Sequence, residues 1–267
     1  MKRAVRCVVF AGLVCSAFAT FAQLDVVASD ADLAATTTRG RLLYEYDQAA
    51  WHASDAVMAL HPAEEKLGRY IAQKRDSGWV VAFGHLNDTK DAFLISVIAT
   101  QGSSLQEFSV KILDTPQADT GFFLAAAKAA DLAAAAFHGQ NIPYNAAVLP
   151  APNGQLYVYV IPAQTKADVY PLGADTRFLV SSDGSAIMET RQMHKSLIMN
   201  RGAIPPGATM AGGTHSHVLS DVPEDSDVFY VLTRKPPMPE FIGTQTAIYE
   251  VKPDGTIRIV QKMKKHK

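Results

Sequence analysis

Cysteine is nearly absent from this 267-residue chain: Cys7 and Cys15 are the only two, and both lie within the first 22 residues. If that stretch is removed, the remainder has no disulfide, no cysteine nucleophile and no thiolate zinc site, and must be held by an ordinary hydrophobic core. Long apolar runs are missing after the first 22 residues, so no stable membrane insertion is expected. Excess positive charge is missing too. Without Lys2, Arg3 and Arg6, the 25 basic side chains fall to 22 against 26 acidic ones, about −4 overall, which offers nothing to nucleic acid. The basic end QKMKKHK reads as a solvated terminus. There is no G-x-S-x-G elbow, no Walker A sequence and no G-x-G-x-x-G, which removes the commonest signatures of serine hydrolases and nucleotide-binding proteins. No fixed-period repeat or low-complexity linker occurs.

What is present begins with MKRAVRCVVFAGLVCSAFATFAQ, three basic residues before an apolar stretch that ends in small residues. This is the layout of a secretory signal peptide over residues 1–22, with cleavage after Ala19 or Ala22, and it predicts a periplasmic or secreted soluble protein. The partner expected there is an unknown protein or small molecule. About 245 residues then remain, enough for one large domain or two modest ones.

Alternation and turn residues predict an α+β fold, mainly antiparallel sheet with packed helices, divided into an N-terminal α+β region over 23–140 and a β-rich region over 141–267. A single intertwined domain is the alternative. Residues 24–40 read as partly unstructured, followed by a helix through LLYEYDQAAWHASDAV. Pro62, Glu64 and Glu65 predict a second helix running to about Arg75. WVVAFGHL and DAFLISVIAT read as a hairpin, with SLQEFSVKIL as a third strand. The clearest helix is DTGFFLAAAKAADLAAAAFHG, with Asp119 or Thr120 as its N-cap and Gly139 as its C-cap. QLYVYVIP is apolar on both faces and reads as a central strand. ADTRFLVSSDGSAIMETRQMH reads as a hairpin, QTKADVYPLG as a connection, and TQTAIYEV with TIRIV as a strand pair. SDVFYVLTR fits helix or strand, with Asp221 and Glu224 spaced as a helix cap.

The chemistry concentrates in AGGTHSHVLSDVPEDSD, residues 211–227. On a strand, His215 and His217 project from the same face, and two imidazoles side by side can hold zinc once a third ligand arrives. Gly212 and Gly213 allow a bend or a close approach just before them. Asp221, Asp225 and Asp227 follow closely enough to fold back. His194 in TRQMHKSLI completes a three-histidine site, with Glu189 or Asp221 nearby, if IMETRQMH runs beside AGGTHSHV. Hydrogen-bonding roles for these histidines are the competing reading.

The segment resembles the JAMM metalloprotease family, or MPN domain, whose pattern is a distant Glu, then H-[ST]-H-P, six residues and S-x-x-D. His215-Ser216-His217 matches its histidine ligands, and the resemblance spans at most residues 175–260. It implies His215, His217 and Asp227 as zinc ligands and Glu189 as the catalytic base. The sequence departs from the pattern at four places. Val218 replaces the proline, Asp225 replaces the serine, Asp227 lies one residue short of the aspartate position held by Val228, and the METR context of Glu189 differs. Three functions follow: a noncatalytic ligand- or partner-binding protein, which the incomplete machinery favours, a zinc-dependent peptidase or isopeptidase, and a chain whose metal is purely structural.

Overall fold

The computed structural model describes residues 27–201, 207 and 210–263. The signal-peptide reading of residues 1–22 lies outside the described residues.

Three helices and fourteen strands form an α+β fold whose sheets are mostly antiparallel, as expected. Helix α1 spans Asp30–Met58 and so covers most of the stretch read as unstructured. Its start is fixed by Ser29, whose hydroxyl accepts from the Asp32 amide while the Asp32 carboxylate accepts from the Ser29 amide. That reciprocal cap lets a weakly patterned alanine and threonine run begin as helix, and Leu33, Thr36 and Thr37 are buried.

The helix predicted from Pro62 to Arg75 is corrected. Glu64–Lys66 makes one 3-10 turn, and Arg69–Arg75 is strand β1. Gly68 breaks the turn at φ +49, so close to Gly84 that a Cβ would sit 2.1 Å from its carbonyl oxygen. Strand pairing then overrides the local helix signal, and β1 pairs with β2 (Gly78–Leu86) along its whole length. Strands β3 (Phe93–Gln101) and β4 (Phe108–Asp119) complete an antiparallel meander β1-β2-β3-β4.

Helix α2, Phe122–Ala136, turns buried Ala126, Ala129, Ala130 and Ala133 towards the sheets. Its N-cap is Gly121, not Asp119 or Thr120; Asp119, two residues earlier, accepts from the Gly121 and Leu124 amides through Oδ2. Gly139 does not serve as the C-cap: the helix stops at Ala136 because Phe137 is extended, and Gly139 instead packs against the Phe137 ring.

The second sheet runs β5-β6-β8-β9, from Tyr144–Pro150, Leu156–Pro162, Thr176–Val180 and Ile187–Gln192. Strand β6 is central, with α2 packed near it, so both faces of LYVYV are covered. The segment read as a connection contains β7 (Val169–Gly173), which pairs with β10 (Leu197–Arg201). In the last sheet β11 (Gly213–Ser216) runs parallel to β12 (Glu240–Gly243), followed by antiparallel β13 (Ala247–Val251) and β14 (Ile257–Lys262).

SDVFYVLTR resolves as helix: α3 covers Asp225–Thr233. The reciprocal cap lies three residues later than the sequence suggested, at Glu224 with Asp227 as its partner. All three apolar clusters draw from both sides of residue 140. In one, Leu43, Tyr46 and Val97 pack with Leu149, Tyr159 and Met193. Helices α1 and α3 touch where Gly40 meets Val228, a spot where a Cβ would lie 2.4 Å from the Val228 Cβ.

Candidate metal centre

His215 lies on β11, and His217 follows just beyond it with its amide still donating to the Gly243 carbonyl at 2.9 Å. This short parallel ladder therefore aims both imidazoles the same way. His194 arrives differently from expectation. Strand β9 ends at Gln192 and pairs with β8, not β11, so His194 enters from the end of the second sheet. Its backbone amide donates to Asp175 Oδ1 at 2.9 Å, and that anchors the approach. Asp227 occupies the first turn of α3, where its Oδ2 accepts from the Glu224 amide at 2.7 Å.

These four residues converge, with one ligand atom from each and all four atoms within 4.8 Å of one another. His217 Nε2 lies 2.9 Å from His194 Nε2 and 3.2 Å from His215 Nε2. Asp227 Oδ1 is 3.1 Å from both His194 Nε2 and His215 Nε2, and Oδ2 is 3.3 Å from His217 Nε2. Ligands about 2.0 Å from a tetrahedral zinc ion are separated by about 3.3 Å, so the donor set has the right size. The side chains of His194, His215, His217 and Asp227 are only 7%, 3%, 1% and 0% exposed, which makes the centre closed rather than open to solvent.

The outer partners fix the chemistry of the rings. His217 Nδ1 is 2.9 Å from the Val222 carbonyl, which can only accept, so Nδ1 carries the proton. His194 Nδ1 meets the Asp175 carboxylate at 2.9 Å, and His215 Nδ1 meets Glu240 at 3.0 Å. Each neutral imidazole thus presents an Nε2 lone pair to the same small space, beside an anionic oxygen. Three lone pairs and a carboxylate repel one another unless a cation joins them. Without an ion, protons take that place. Burial acts to lower the pKa of His194, but Asp175 and Asp227 outweigh it and raise it well above the ordinary value. His215 likewise resists burial through its bonds to Asp227 and Glu240 and rises to about 9. For Asp227, burial favours the neutral acid, yet the charges of His217 and His194 hold it well below the usual carboxylate range.

Glu240 is itself fixed by Arg234, whose Nη1 donates at 2.9 Å while Nη2 donates to the Met238 and Pro239 carbonyls. Gly213 makes room for this carboxylate: a Cβ there would lie 1.9 Å from Glu240 Oε2. The close approach allowed by the paired glycines is therefore to an outer carboxylate. A second network holds α3 in place. The buried Asp225 accepts from Arg39 Nε at 2.9 Å, Arg177 Nη1 at 2.5 Å and the Tyr159 hydroxyl at 2.9 Å.

Of the residues singled out from sequence, His194, His215, His217 and Asp227 come together. Glu189 is exposed on β9 opposite Leu179 and contributes no atom to the cluster. Asp221 is drawn to the Gln245 amide. Asp175, Glu240 and the Val222 carbonyl were not anticipated, because partners of the second nitrogen follow no fixed spacing. No protein-family model, curated protein or solved structure matches the chain.

Proposed function

We propose that this chain is an exported, noncatalytic binding protein whose His194, His215, His217 and Asp227 hold one zinc ion in a closed, four-ligand site. The observation that carries this reading is the set of four buried donor atoms at tetrahedral spacing, with each outer imidazole nitrogen already committed to an oxygen. Bound there, the metal cross-links the end of the second sheet, strand β11 and helix α3. A structural zinc site has four protein ligands, whereas a catalytic one reserves a position for water.

The nearby carboxylates are also engaged. Asp175 holds His194, Glu240 holds His215 and Arg234, and Glu224 holds Arg191. None is left as a base for metal-bound water. The signal-peptide layout supports placing the protein in the periplasm or outside the cell. Among the described residues no helix is long and apolar enough to cross a membrane.

A second reading, a JAMM-like zinc peptidase or isopeptidase, draws on one specific observation. His215 and His217 at a strand end, followed by Asp227 in the first turn of a helix, repeat the order of that family's ligands. In it His194 would leave the metal and free a position for water. X-ray absorption at the zinc edge distinguishes the two. The closed reading expects three imidazoles and one carboxylate with no exchangeable water, and a water-derived ligand would favour the hydrolase.

A further inference from the structure

A cleft of about 620 Å³ lies away from the four converging side chains, between one face of α1, the chain after β6 and the far side of α3. Tyr44, Asp47, Gln48 and Trp51 recur at helical spacing along α1 and line one wall. Phe229 and Thr233 line the opposite wall; on α3 they are four residues apart and turned away from Asp227. Tyr70 closes the side next to β1. The charges are ordered by depth. Lys166, Asp168 and Lys235 are exposed at the rim, whereas Asp47 is partly buried.

Asp47 is unusual in its company. The one hydrogen bond it accepts comes from Gln48 at a long 3.3 Å, and among the described residues no Lys, Arg or His pairs with it. Tyr44, Trp51 and Tyr70 line the same cleft beside polar Ser54 and Asn145, and the charge of Asp47 reaches Tyr44 and Tyr70, whose hydroxyls become harder to ionise through their own burial and then through this neighbour. The rim lysines Lys166 and Lys235 line the cleft without pairing to Asp47, so a partly desolvated carboxylate beside tyrosine and tryptophan rings is left to attract an organic cation.

We infer that this cleft binds a small organic ammonium ion, its charged head against Asp47 and the aromatic side chains of Tyr44, Trp51 and Tyr70. The site does not rest on the metal reading, since none of the four converging residues lines it. A volume of about 620 Å³ suits a compact amine, within the usual range for small-molecule sites.

Trp51 is 55% exposed and Trp79 only 2% exposed, so a change in tryptophan fluorescence on ligand addition reports chiefly on Trp51. The test titrates the metal-loaded full chain with choline, with butylammonium, and with the neutral isostere 3,3-dimethyl-1-butanol. Saturable binding of choline or butylammonium, at least about ten-fold tighter than the neutral alcohol, is expected, and which amine binds better separates a methylated from a primary ammonium ligand. Asp47→Asn should weaken the cation by about ten-fold or more, leaving the alcohol and the metal content unchanged. Trp51→Phe, read by calorimetry, should retain binding with a smaller loss. Equal binding of the alcohol and the amines, or no saturable signal from either amine well above millimolar concentration, overturns the proposal. So does an Asp47→Asn variant that folds normally and keeps full affinity.

Discussion

Replacing Gly213 by alanine adds one methyl group, and its consequence can be worked from geometry alone. Gly213 does not lie in the left-handed backbone region, so alanine meets no conformational barrier there. The new Cβ would stand 1.9 Å from Glu240 Oε2 and 2.7 Å from Arg234 Nη1. Both are buried, and the carboxylate must move away from His215 Nδ1, Arg234 or both. Separating a buried ion pair destabilises by about 3–5 kcal/mol. For a domain of this size that lowers the melting temperature by about 6–20 °C. Loss of the oxygen that orients His215 should also weaken metal binding by about 10–100-fold. Gly243→Ala is the control, because its Cβ would meet nothing closer than 3.9 Å. Calorimetric melting and competition with a zinc chelator read the two effects. A double-mutant cycle isolates the cause: once Glu240→Ala has removed the carboxylate, adding Gly213→Ala should cost less than about 1 kcal/mol. A Gly213→Ala protein with unaltered melting and metal affinity, or a full penalty persisting in the Glu240→Ala background, would refute the reasoning.

Asp225→Ala leaves Arg39 and Arg177 facing each other without their shared carboxylate and removes the acceptor of the Tyr159 hydroxyl. Chemical denaturation should show a loss of about 3–5 kcal/mol, and a loss below about 1 kcal/mol would mean the network is not holding α3. Asp47 supplies a pH signature. Burial raises its pKa from 3.8 to about 6, so its charged form destabilises the folded state. That penalty is absent below about pH 3, where both folded and unfolded chains are protonated, and is complete above about pH 7. Tyr44 and Tyr70, the ionisable neighbours facing it, stay neutral throughout this range. Asp47→Asn should therefore stabilise the ligand-free protein by about 1–2 kcal/mol at pH 7.5, after allowance for its partial exposure, and by almost nothing at about pH 3. A benefit that is constant with pH would show that Asp47 is not desolvated.

The sequence made some elements readable and hid others for identifiable reasons. Helix α2 was legible because an alanine run with Asp119 before it suits no strand. Strand β6 was legible as central because LYVYV is apolar on both faces. The beginning of α1 was not: Ala34, Ala35 and three threonines carry little pattern, and the Ser29–Asp32 cap is the only local signal of a helix start. Strand β1 is hidden in the sequence because Pro62 and two glutamates imitate a helix start, while the pairing that makes Arg69–Arg75 a strand comes from Gly78–Leu86. At the site, His215, His217 and Asp227 stood close enough in sequence to be seen together. His194 joins them without the strand pairing the sequence suggests, since β9 and β11 belong to different sheets. Asp175 and Glu240 lie 19 and 25 residues from the histidines they hold, and only folding brings them near.

The most direct measurement is elemental analysis of purified protein after zinc incubation and exhaustive dialysis, run beside the His215→Ala, His217→Ala double variant. The account predicts about one zinc per wild-type chain, held firmly enough to raise the melting temperature, and none in the variant. Wild-type protein that folds and emerges without bound metal would contradict it.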